Sequence, residues 1–135
     1  MIEKDYILRL IQTFFDAINE IVNKIDKEDM YGAKIQIDET YKLLGKSADF
    51  FHSREVNEIV DFLKGKDGDY LKSLELLAQL IFLDAKTEHQ TEIQNKLLKK
   101  AKLLFEHYNM FSEEFSFEAN SKLMEINKLL IKSNS

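Results

Sequence analysis

The sequence predicts an all-α protein. Three observations carry that reading: the chain holds no proline, it holds only four glycines, and apolar residues recur at helical spacing from Asp5 almost to the C-terminus. Proline breaks helix interiors because it lacks an amide proton and clashes with the preceding turn, so a proline-free chain lets long helices run uninterrupted. At 135 residues and 44% apolar content, the chain is the size of one domain and can fill a core without disulfides or a structural metal. Residues 1–135 are therefore expected to form a single helical domain.

The first element is the clearest. Ile7, Leu10, Ile11, Phe14, Ile18, Ile21, Val22 and Ile25 follow the i, i+3, i+4, i+7 rule, while Glu3, Arg9, Gln12, Asp16 and Glu20 fall mostly on the other face. Asp26-Lys27-Glu28-Asp29 interrupts the pattern with acids suited to a helix start. Met30, Ala33, Ile37, Tyr41 and Leu44 then make a second stripe that ends at Gly45, a natural C′ residue. So short a joint predicts two antiparallel helices.

Lys46 to Phe51 reads as a short helical turn. Ser53 is placed to cap a helix whose Val56, Ile59, Val60 and Leu63 face inward, ending at Gly65. Lys66-Asp67-Gly68-Asp69 is the strongest loop signal, with glycine for a positive φ and aspartates to cap the helix after it. That helix carries Leu71, Leu74, Leu77, Ala78, Ile81 and Ala85 and stops between Asp84 and Gln90, where Thr87-x-x-Gln90 and Thr91-x-x-Gln94 each read as a capping box. A further helix spans about Thr91 to Tyr108 with Ile93, Leu97, Leu98, Ala101, Leu104, Phe105 and Tyr108 inward. Asn109 to Ser116 is expected to be irregular, and a last helix uses Ala119, Leu123, Ile126 and Leu130. The sum is about six helices in antiparallel hairpins. Ile11, Phe14, Ile18, Leu74, Leu77, Ala78, Ile81, Leu97, Ala101, Leu104 and Phe105 are the expected core.

Composition narrows the function. The longest nearly apolar run, Leu74 to Leu83, is interrupted by Glu75 and Gln79 and is far shorter than the roughly 20 residues of a spanning helix, so no membrane partner is expected. The opening Met1-Ile2-Glu3-Lys4-Asp5 carries acids where a signal peptide places a basic cluster, which predicts a cytoplasmic location. A net charge of −5 argues against a nucleic-acid binder, and a chain without cysteine offers neither thiol catalysis nor a zinc-thiolate site.

No stretch carries the pattern of a known chemistry. Asp49-x-x-His52 places a carboxylate and an imidazole on adjacent turns, as in carboxylate-bridged dimetal bundles, but neither His89 nor His107 has an acid three residues before it. Every long apolar stripe is read as lacking a glutamate at a core position, so no metal is expected. The serines sit in capping or surface contexts, outside any nucleophile-elbow sequence, and four scattered glycines cannot build a phosphate-cradling loop. Glu113-Glu114 reads as a solvated pair. No catalytic residue and no cofactor site is assigned, and the chain is not read as an enzyme.

Two surface features stand out. Lys96, Lys99 and Lys100 fall on the helix after Thr91, in a stretch from Lys86 to Asn109 that holds five lysines against three glutamates. Such a stripe suits an acidic partner. Phe111, Phe115 and Phe117 cluster before the last helix, where any exposed ring would anchor an interface.

Asp5-Tyr6-Ile7-Leu8-Arg9-Leu10-Ile11, the hairpin from Leu74-Glu75-Leu76-Leu77-Ala78 through Lys99-Lys100-Ala101-Lys102-Leu103-Leu104, and the ending Phe115-Ser116-Phe117-Glu118 together resemble a bacterial family of short helical proteins. That family is known only as a domain of unknown function similar to tetratricopeptide repeats. The resemblance implies a bacterial cytoplasmic protein of stacked helical hairpins, TPR-like in its C-terminal half, and brings no catalytic residue. Ala101 and Phe105 match the alanine and aromatic positions of the repeat's second helix, whereas its tryptophan-leucine-glycine-tyrosine run and closing proline are missing. The expected function is a non-catalytic interaction or scaffold module that binds a protein or peptide between hairpins. The alternatives are a structural subunit that pairs with itself as a homodimer, and an enzyme of unrecognised type.

Overall fold

A computed structural model describes residues 2–66 and 68–133; Asp67 of the expected loop and Met1 lie outside the described residues. Among the described residues there are seven α-helices and no strand: α1 (Ile2–Asp26), α2 (Met30–Tyr41), α3 (Ala48–Ser53), α4 (Val56–Lys64), α5 (Tyr70–Thr87), α6 (Thr91–Phe111) and α7 (Phe117–Ser133). A 3-10 turn, Lys42–Leu44, extends α2 and closes on Gly45, whose φ of 97° only glycine adopts without strain. The seventh helix is α3, which occupies the stretch expected to be a helical turn.

Caps explain where several helices begin. The Asp29 carboxylate accepts from the Gly32 amide at 2.9 Å, and Asp69 accepts from the Leu71 amide at 3.0 Å. Ser53 does not cap α4: it is the last residue of α3, and its hydroxyl donates to the Asp49 carbonyl at 2.7 Å. A serine in a last turn can bond back four residues, and here that option wins. Neither threonine capping box forms. Thr87 ends α5 and donates to the Asp84 carbonyl at 2.8 Å, while the Gln94 carboxamide crosses the turn to the Ala85 carbonyl at 2.9 Å, so both side chains close the end of α5. Helix α6 runs three residues past Tyr108 to Phe111, leaving Ser112 to Ser116 as the joint to α7.

Helix α5 organises the molecule. Every residue from Leu74 to Ala85 is buried, and α1, α2, α4, α6 and α7 all pack against it. A helix that is apolar nearly all round belongs inside a bundle, and the buried side chains of α1 through α7 form one contiguous cluster around it. Helices α5, α6 and α7 pack in chain order, but a stack in which each hairpin touches only its neighbours would not surround one helix with five others. The expected core residues are buried except Ile11, which is partly buried and packs against the core. Ile93, expected inward, is 39% exposed because it lies in the first turn of α6, at the end of the bundle. The expectation that no apolar stripe holds a core glutamate is overturned. Glu75 occupies a core position, 4% exposed, because Lys72 and Ser116 satisfy its carboxylate.

Candidate functional site

The most strongly built polar site centres on Asp84, which is fully buried on α5. Its Oδ2 accepts from the Tyr41 hydroxyl of α2 at 2.6 Å and lies 2.6 Å from His52 Nε2 of α3; its Oδ1 accepts from Lys34 Nζ at 2.6 Å. Burial pushes the Asp84 carboxyl up, but the bonds from His52, Lys34 and Tyr41 and the Lys34 charge outweigh it and hold the group below its ordinary value. Burial and the neighbouring carboxylate push the Tyr41 hydroxyl well above its usual value. The Tyr41 ring also stacks on Phe51, with centroids 5.6 Å apart. A single carboxylate therefore ties α2, α3 and α5 together.

The sequence pair Asp49-x-x-His52 does not become a site. Asp49 is exposed, and the acid that engages His52 comes from α5, thirty-two positions away. Among the described residues no three histidine or carboxylate side chains are grouped to hold a metal ion. Among the described residues the hydrogen-bond partners of the His52 imidazole are the Tyr41 hydroxyl, 3.3 Å away, and the Asp84 carboxylate, which orients the ring. His107 lies between Tyr70 and Phe111, and burial together with the Lys64 charge holds it below its ordinary value.

Of the three lysines on the α6 stripe, one is committed to the fold. Lys100 Nζ donates to the carbonyls of Phe51 at 2.9 Å, His52 at 2.6 Å and Arg54 at 2.8 Å, closing the C-terminus of α3. Burial pushes its ammonium below its ordinary value against a smaller pull from Glu55. Lys96 stands 3.9 Å from Glu92 with both side chains exposed, and Lys99 is exposed. The sequence stripe is therefore divided between structure and surface.

The aromatic segment is divided too. Phe111 rests on His107, ring centroids 4.5 Å apart, whereas Phe115 and Phe117 are 80% and 75% exposed. Phe117 opens a line that sequence reading missed. Phe117, Met124 and Ile131 recur at seven-residue spacing on α7, opposite the buried Ala119 and Ile126, and all three are mostly exposed. Leu103 and Met110 repeat the spacing on α6, opposite the buried Ala101 and Tyr108. The two helices meet where the Asn109 carboxamide donates to Asn120 at 3.2 Å. The signal lay in the sequence as a second apolar stripe, masked because each helix already has a stronger one.

No family model, curated protein or solved structure matches the chain. No helix among the described residues is long and apolar enough to cross a membrane.

Proposed function

We propose that the protein is a non-catalytic interaction or scaffold module, and that the outer face of α6 and α7 docks an acidic amphipathic segment of another protein. The observation that carries this reading is the exposure of large apolar side chains: Leu103, Met110, Phe117, Met124 and Ile131 are 52% to 75% exposed on two helices that pack against each other. Large apolar side chains repeated along water-facing helices mark an interaction surface. Lys96, Lys99, Lys128 and Lys132 stand exposed on the same two helices, against Glu92, Glu106 and Glu118, an excess of one positive charge that favours an occupant with acidic rims.

The test is capture from a lysate followed by cross-linking. An acidic segment of one partner should cross-link to Lys99 or Lys128, and Met124→Asp should abolish capture while melting stays unchanged, since the Met124 side chain stands mostly in water. Capture that survives Met124→Asp would reject the face. The self-pairing subunit is the second reading, favoured by the same ridge: a concentration-dependent dimer that Met124→Asp converts to monomer would establish it instead.

A further inference from the structure

A concavity of about 360 Å³ lies where the end of α6 and the loop after it face the start of α5. Asp69, Glu113 and Glu114 bring three carboxylates to its lining, against one ammonium, that of Lys72. Two of these four charges are answered locally. Lys72 Nζ stands 3.1 Å from the Glu75 carboxylate, and Asp69 accepts from the Leu71 amide at 3.0 Å and the Lys72 amide at 3.4 Å, which sets its charge against the positive end of α5. Glu113 and Glu114 have no ion-pair partner among the described residues. The lining keeps a surplus of negative charge.

Tyr108 adds a second, independent signal. It is 7% exposed and lines the same concavity, yet its hydroxyl has no hydrogen-bond partner among the described residues. Buried tyrosines find a partner for the hydroxyl as a rule, so an unpaired one beside unneutralised carboxylates points to a donor that arrives with a ligand. The end of α6 has the same sign. This helix runs 21 residues with no basic side chain in its last turn, and among the described residues only the Tyr108 carbonyl of that turn is taken, by the Ser112 amide at 2.8 Å.

The occupant that fits is a cation with hydrogen-bond donors. A metal ion needs its carboxylates gathered in one coordination shell, and among the described residues no three histidine or carboxylate side chains are so grouped. An ammonium group offers three donors, and an aliphatic chain with one at each end reaches separated carboxylates while its methylenes lie on Leu71 and on Phe111, which is 55% exposed. We infer that the α5–α6 concavity binds a linear aliphatic diamine, with one ammonium donating to the Tyr108 hydroxyl and the two together neutralised by Glu113 and Glu114.

The probe is 1,4-diaminobutane, titrated calorimetrically into the intact chain at low salt, with butylamine as the single-charge control. The diamine should bind roughly fivefold tighter than butylamine, and salt at about 0.15 M should weaken it, because Glu113 and Glu114 are exposed and act through a screened field. Glu113→Gln with Glu114→Gln should bring the diamine down to the level of butylamine. Glu92→Gln with Glu106→Gln removes the same charge outside the concavity and should leave the affinity unchanged. Tyr108→Phe should weaken the diamine severalfold with melting unchanged, since the lost hydroxyl has no partner in the fold. In the wild type, Leu71 methyl and Ser112 to Glu114 amide resonances should shift on titration, a readout independent of any variant's folding. Equal affinity for diamine and butylamine, equal weakening by both glutamine pairs, full affinity in Tyr108→Phe, or shifts confined elsewhere would overturn the proposal. Tighter binding of calcium, or of a peptide carrying two lysines, would reject it in favour of a metal or a protein partner.

Discussion

His52 Nε2, on a six-residue helix, lies 2.6 Å from the carboxylate of Asp84, which α5 buries completely. Short helices are marginal alone, and α3 is stable because its last turn is held twice: the imidazole by Asp84 and the terminal carbonyls by Lys100.

Asp84 makes stability depend on pH at the acid end. Its folded value lies below the unfolded value of about 3.9, so its contribution is complete above that pH and is lost as the pH falls through the depressed folded value. Asp84→Asn should lower stability by roughly 1–3 kcal/mol at pH 7, and its gap to wild type should narrow towards pH 3. Urea melts at the two pH values measure this; a constant gap would show that the charge is irrelevant.

The alkaline end is governed by Lys34 and Tyr41. Burial pulls Lys34 down, but its bond to Asp84 and the surrounding carboxylates raise it, and Tyr41 is raised further. Groups raised on folding contribute fully below their unfolded values, about 10.4 and 10, and lose that contribution as pH rises through the folded ones. Wild type should therefore destabilise more steeply above pH 10 than Tyr41→Phe, read by thermal melts.

Replacing Lys100 should separate structure from surface. Lys100→Met leaves three carbonyls at the end of α3 without their donor and should cost roughly 1–3 kcal/mol, with faster amide exchange in α3. Lys99→Met, one residue away and exposed, should stay within about 0.5 kcal/mol of wild type. Equal effects would show that the capping bonds carry no stability.

The start of α7 should respond to Ser116. Its hydroxyl accepts from the Ala119 amide at 3.0 Å and donates to buried Glu75, so Ser116→Ala removes a cap and strips a partner from a core carboxylate. A loss of roughly 1–3 kcal/mol is expected, with deuterium uptake rising first at the beginning of α7. Unchanged exchange there would reject the role.

Leu77, fully buried on α5, should cost roughly 2–5 kcal/mol as alanine, and the partly buried Ile11 distinctly less. Chemical denaturation of both variants ranks them; the reverse order would show that α1 and not α5 carries the centre of the core.

Local chemistry made most of the helices readable. The stripe of α1, the Gly45 stop, the Asp69 cap and the apolar run of α5 are decided by neighbours within a few positions, and the structure holds each of them. Surface features were half readable. Lys96 and Lys100 look alike in sequence because each is a lysine on one helix, and only the approach of the end of α3 turns Lys100 into a cap.

What the sequence by itself determined is the helix content, because helical periodicity and the absence of proline are properties of contiguous residues. What only the tertiary structure decided is which polar side chains the core holds. Glu75 and Gln79 interrupt an apolar run identically, yet Glu75 is matched by Ser116 and Lys72 while Gln79 faces a cleft, and Asp84 finds its partners at Lys34, Tyr41 and His52. A buried carboxylate is costly without partners, and apart from Lys72, one turn before Glu75, those partners lie tens of residues away, so their pairing is set when the helices pack around α5 and not before.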